Sequence, residues 1–261
     1  MFPSVATMVW YVLSLLSGMV VLLEIGRRIG IRRRSEDPDG ATAGLGAVDG
    51  AIFGLMGLLL AFTFSAATSR LDKRRDLIVQ EANDIGTAYL RLDVLPAERQ
   101  PALRDLFRRY VDSRLAVYRA LPNVEAAQAK LKESQQIQGE IWTQAVAATK
   151  NVEGNSIPAT TLVLSSLNQM IDVTTTRTVA MQTHTPPIIF VLLAVMVLAA
   201  ALLSGFGMAG GKVRSLLHMI AFPLLMTIII YVIIDIEYPR IGFIRLERFD
   251  SLLVDVRESM K

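Results

Sequence analysis

Apolar residues in this chain fall into long charge-free blocks towards its two ends and into helix-spaced stripes in the middle. Val5 to Leu23 carries no charge, and Gly50 to Ala67 is a second such run, extended by Thr68 and Ser69. Pro187 to Ala209 is a third, and Leu216 to Ile234 a fourth, with His218 near one end and Pro223 inside. A helix needs about 20 mostly apolar residues to cross the hydrocarbon core. A charged residue at its centre costs about 2.5–3.5 kcal/mol. Four uncharged runs of that length predict four membrane spans. The first is expected to be a retained anchor: no charged segment precedes it, it is long for a signal peptide, and Glu24 and a run of arginines follow with no small-residue cleavage site.

Between the second and third blocks the period changes. Leu77, Ile78, Ile85, Tyr89 and Leu92 recur at helical spacing up to Pro96. Leu103, Leu106, Phe107, Tyr110, Leu115 and Tyr118 form a second stripe closed by Pro122. A more polar helix is predicted over about 124–149, a turn at Asn151, Gly154 and Asn155, and a further helix over about 158–183. No strand-like alternation of useful length appears. The expected fold is all-α, a polytopic membrane protein with four transmembrane helices and a helical domain between helices two and three. Its expected parts are 1–68, with spans at about 5–23 and 50–68; an extramembrane domain at 69–186; 187–236, with spans at about 187–209 and 216–234; and a short polar tail at 237–261. Residues 35–47, rich in glycine, alanine and acidic residues, are expected to form a loop.

Composition narrows the function classes. The chain is 52% hydrophobic and 20% charged, with a formal charge of only +3. Its basic residues cluster beside apolar blocks, as expected next to lipid headgroups, and form no broad basic face of the kind that binds nucleic acid. With no cysteine and only two histidines, His184 and His218, thiol chemistry is excluded and no metal or other cofactor is expected. Gly205, Gly207 and Gly210 spell G-x-G-x-x-G, but they leave a span rather than link a strand to a helix, so a flexible turn is expected. Glu81 and Asp84, one helical turn apart, read as helix-surface charges. Asp235, Glu237 and Arg240 read as an interfacial cap, with a Glu237–Arg240 pair at helical spacing. No catalytic residue is nominated, and the chain is not expected to be an enzyme.

Three features suggest transport. Gly46, Gly50, Gly54 and Gly57 make a small-residue face on span two, which allows close backbone approach in lipid; it serves packing within the chain or a seam between subunits. Leu58 and Phe62 share a face: they serve as ordinary lipid-facing or packing residues or, repeated by symmetry, would form apolar rings able to gate by dewetting. Arg70, Lys73, Arg74 and Arg75 would then surround the mouth and concentrate anions, partly offset by Asp72 and Asp76. Taken as solvated charges, they read alternatively as a headgroup anchor.

Two stretches resemble bestrophins. Leu60 to Arg70, followed by Leu71 to Leu77, is similar to the second bestrophin span, with Phe62 eight residues before Arg70. Ile236-Glu237-Tyr238-Pro239-Arg240-Ile241-Gly242 looks like the segment that follows the last one. Glu81 to Asp93 points more narrowly to the bacterial bestrophin-like membrane proteins, a resemblance that covers nearly the whole chain. The likeness to bestrophins implies an oligomeric channel passing small inorganic anions. The bulky neck positions of bestrophins would fall on Gly54, Leu58 and Phe62, and Gly54 departs from that type. The acidic calcium clasp has no counterpart after Gly242. The expected partners are the lipid bilayer, further copies of the chain and small anions, with no nucleic acid. The expected location is multi-pass in a bacterial inner membrane. Loop charges favour a middle domain outside the cell, whereas the resemblance implies a cytoplasmic one. The rival reading is a membrane-anchored helical sensor or scaffold that neither transports nor catalyses.

Overall fold

The computed structural model describes residues 4–37, 45–121, 123–150, 156–210, 216–240 and 242–260. Among them it contains helices and no strand. In chain order they are α1 (Val5–Glu36), α2 (Leu45–Leu90), α3 (Gln100–Ala120), α4 (Val124–Lys150), α5 (Ser156–Gln182), α6 (Pro187–Gly207), α7 (Leu216–Glu237) and α8 (Glu247–Ser259). Four of the helical stretches are long and apolar enough to cross a membrane. Most of the loop expected at 35–47 and the turn at 151–155 lie outside the described residues; Ser35 and Glu36 end α1, while Leu45, Gly46 and Ala47 already belong to α2.

Local chemistry sets several helix ends. The Ser4 hydroxyl accepts from Thr7 N and caps α1, and the Asn123 amide oxygen accepts from Ala126 N at the start of α4. Pro187 occupies the first position of α6, where its missing N–H costs nothing. Helix α7 runs through Pro223.

The chain divides into two compact units. One, the span unit, comprises residues 1–69 and 184–238; the other, the helical unit, comprises 70–183 and 239–261.

In the span unit, α1 packs against α6 and α7. The α1–α6 seam is a backbone contact made possible by glycine. A Cβ on Gly26 would overlap the carbonyl oxygen of Leu202, one on Gly30 would come within 2.7 Å of Phe206 O, and one on Gly205 would overlap Leu23 O. Small residues at such crossings let helices in lipid gain van der Waals contact where no hydrophobic drive is available. This corrects the reading of the glycine triplet: Gly205 and Gly207 belong to α6, and Gly205 is a packing glycine rather than part of a flexible turn.

The helical unit has a conventional apolar core. Leu103, Phe107, Tyr110 and Val111 of α3, Ile137, Ile141 and Ala145 of α4, and Val163, Leu167 and Met170 of α5 are buried together. Leu253 and Met260 join them, so the tail contributes a helix to this core rather than trailing as a polar end. Tyr89 meets Phe107 edge to face at 5.9 Å.

Candidate functional site

Helix α2 carries the residues nominated for a pore. Within the span unit it buries Met56, Leu60, Thr63 and Ala67, spaced four, three and four apart along one side. The opposite side is bare. Leu58 is 51% and Phe62 64% exposed. Among the described residues, nothing beyond their chain neighbours and their own helix backbone lies within 4 Å of a Cβ built on Gly46, Gly50, Gly54 or Gly57. Among the described residues the small-residue face therefore makes no packing contact, whereas Gly26, Gly30 and Gly205 do so against backbone. Phe53, on the flank of α2, meets Phe222 of α7 edge to face at 6.2 Å.

The four basic residues that follow separate in the helical unit. Lys73 is exposed, and Arg70 and Arg75 are half-buried. Arg75 pairs with Asp72 at 3.0 Å and lies over the Phe249 ring. Arg74 is buried, and its guanidinium donates to the carbonyls of Ala180 and Thr183 at 3.2 and 2.8 Å, at the end of α5. A cation there satisfies carbonyls that the helix leaves open. Arg74 is thus a helix cap and drops out of the mouth charges.

The second feature is a charge network centred on Glu81, a residue expected on a helix surface. Glu81 is fully buried, and both of its oxygens are engaged by arginines. Arg114 Nε of α3 donates to Oε1 at 2.6 Å, and Arg177 Nη1 of α5 donates to Oε2. Arg177 Nη2 also donates to Asp250 of α8 at 3.1 Å. Arg240 meets the same Asp250 at 2.7 and 3.0 Å. Charges therefore alternate along the row Arg114, Glu81, Arg177, Asp250, Arg240. The row wraps the Tyr118 ring, with the three guanidinium carbons 5.3, 3.9 and 5.3 Å from its centroid. The Tyr118 hydroxyl accepts from Arg114 Nη2 and donates to Glu81. Arg240 holds φ = 99°, a left-handed conformation uncommon outside glycine.

Burial alone would raise the Glu81 carboxyl, but the fields of Arg114 and Arg177, with their hydrogen bonds, outweigh it and hold it below the ordinary carboxylate value. Burial pushes the Tyr118 hydroxyl up to about 12, against the pull of Arg114, and it also raises Tyr110. Next to this row, Gln138 donates to Tyr110 Oη and Thr174 Oγ1 at 2.9 and 3.2 Å. Asp84, expected at the surface beside Glu81, is half-buried, and its carboxyl is raised by burial and then by Glu81.

In the span unit, Glu237 is also fully buried. It accepts from Thr185 N at 2.7 Å and Thr185 Oγ1 at 3.2 Å, with His184 Nδ1 at 3.5 Å. The His184 ring stacks on Tyr238 at 4.5 Å. The expected partner of Glu237, Arg240, is committed to Asp250 instead. The side chain of His218 lies outside the described set. Among the described residues no group of three or more histidines and carboxylates is placed to hold a metal.

The Bestrophin-like domain family matches residues 12–248, almost the whole chain. The chain belongs to that family. No curated protein matches it. Among solved structures, a point mutant of a bacterial bestrophin homolog from Klebsiella pneumoniae is similar over 92% of this chain and 98% of its own, with a TM-score of 0.63 and 16% identity. A second mutant of a Klebsiella pneumoniae homolog covers 95% and 96%, with a TM-score of 0.62 and 18% identity. A structure described as a membrane protein covers 93% and 97%, with a TM-score of 0.61 and 17% identity. At these identities the likeness is one of fold. Two of the stretches that carried the resemblance in sequence contribute to one network: Glu81 opens the first, and Arg240 closes the Tyr-Pro-Arg triplet of the second.

Proposed function

We propose that the chain is one subunit of a homo-oligomeric ion channel in a bacterial inner membrane, passing small inorganic anions along a path lined by the bare side of α2. The observation that carries this reading is that side itself. Leu58 and Phe62 are exposed one turn apart, and a Cβ on any of the glycines before them would meet nothing within 4 Å among the described residues. An apolar helix side in lipid needs no partner, but a side built of glycine offers lipid little area and offers a second helix close approach. Repeated around an axis, Leu58 and Phe62 give rings that wet or dewet. The membership in the bestrophin-like family supports the same reading. After the loss of Arg74, the mouth retains Arg70, Lys73 and Arg75 against Asp72 and Asp76, a small cationic excess per chain that symmetry multiplies.

The test is flux. Purified protein in chloride-loaded liposomes should release chloride, and Phe62→Ala should raise the rate several-fold by widening the ring. An inert wild type that co-purifies with a stoichiometric partner would favour the sensor or scaffold reading.

A further inference from the structure

The charge row in the helical unit is not balanced. It sets three guanidiniums, on buried Arg114 and Arg177 and half-buried Arg240, against two carboxylates, on buried Glu81 and half-buried Asp250, so its buried part alone holds two cations to one anion. Arg114, at one end of the row, is 1% exposed, and its Nη1 is buried with no hydrogen-bond partner. A buried polar donor is nearly always paired, and leaving a charged one unpaired costs more than leaving a neutral one.

The neighbours of Arg114 do not supply the missing acceptor. Tyr118 is already bonded to Arg114 Nη2. Tyr110 shares its hydroxyl with Thr174 and Gln138. Glu81 spends its two oxygens on Arg114 Nε, Arg177 and Tyr118. Asp84 is a carboxylate one turn further along α2, but its Oδ2 is itself buried without a donor, so it and Arg114 Nη1 do not meet. A water molecule would satisfy an N–H and leave the surplus charge in place. An anion removes both deficits.

We propose that the helical unit binds one small monovalent anion of the halide class against Arg114 Nη1, as a fixed counter-ion of the fold. It sits in the core of this unit, apart from the bare side of α2, and it stands whether or not the protein conducts. Bound there, it balances the third arginine and holds α3 against α2 and α5. Ligands that bind only the folded state stabilise it in proportion to the logarithm of their concentration, so the anion should be visible as a stability requirement.

The probe is bromide and the protein is the full chain in detergent. A crystal grown in sodium bromide should show an anomalous peak within hydrogen-bonding distance of Arg114 Nη1. At equal ionic strength, melting temperature should rise by several degrees, saturably, with chloride or bromide relative to gluconate. Absence of either result overturns the proposal. Arg240→Gln removes the surplus charge and should abolish the chloride dependence. Full dependence in a folded Arg240→Gln protein would overturn the charge-balance argument. If that variant does not fold, the bromide peak and the wild-type melts decide.

Discussion

The two units hold their helices together by opposite means. In the span unit, α1 and α6 meet backbone to backbone through Gly26, Gly30 and Gly205. In the helical unit, α2, α3, α5 and α8 contribute charges to a buried row around Tyr118, beside an apolar core. Lipid tails are as apolar as leucine, so helices in the membrane gain little by hiding apolar side chains and gain mainly from close contact. A helical bundle in water already gains from burying its core. It can then bury ions whose value is specificity: each arginine must find its carboxylate or leave it stranded.

The largest effect that separates the two modes should come from Gly205→Val. Its side chain would overlap Leu23 O, the helices would have to part, and monodisperse protein in detergent should be mostly lost on size-exclusion chromatography. Gly54→Val, with nothing within 4 Å, should leave the fold of the chain intact and disturb only assembly. Equal loss in both variants would erase the distinction between the two glycine sets.

Next comes Glu81→Gln. It leaves Arg114 and Arg177 without their shared carboxylate, and breaking a buried pair in this way costs about 3–5 kcal/mol. A large fall in melting temperature is expected. Replacement of the whole pair by apolar residues should cost far less.

The pH dependence is smaller and two-sided. The Glu81 carboxyl is held below its ordinary value, so its contribution is full above that ordinary value and fades as pH falls through the lowered one. Tyr118 is raised to about 12 from 10.0, so its contribution is full below 10 and fades as pH rises from 10 towards 12. Melting curves across pH should show both limbs, and Glu81→Gln should flatten the acid one. The smallest effect belongs to the exposed pair of Arg257 with Asp112, where Arg257→Ala should cost about 0–1 kcal/mol.

The spans and helices were legible because their signals are local: charge-free runs and stripes at helical spacing. The buried row was not, because its members come from distant parts of the chain, with Glu81 and Arg177 separated by 96 residues. A signal was nevertheless present. Glu81 lies four residues after Leu77 and four before Ile85, and Arg114 lies four after Tyr110 and four before Tyr118. A charge in register with an apolar stripe faces inward and must have a partner there. Reading Glu81 by its type rather than its register put it on the surface. Arg74 follows the same rule: within a basic run it looks like one more solvated charge, but it shares the side of Ile78 and Leu71, which are buried. The glycines of α2 are legible as a face, but what packs on that face is not, since nothing among the described residues lies within 4 Å of it.

The channel reading stands on one claim, that the bare side of α2 lines a path for ions. The chain has no cysteine, so a single introduced thiol reports without background. In conducting liposomes, a charged thiol reagent should block flux through Leu58→Cys and Phe62→Cys and leave Met56→Cys, on the buried side, untouched. Flux that persists unchanged in all three after treatment would contradict the claim.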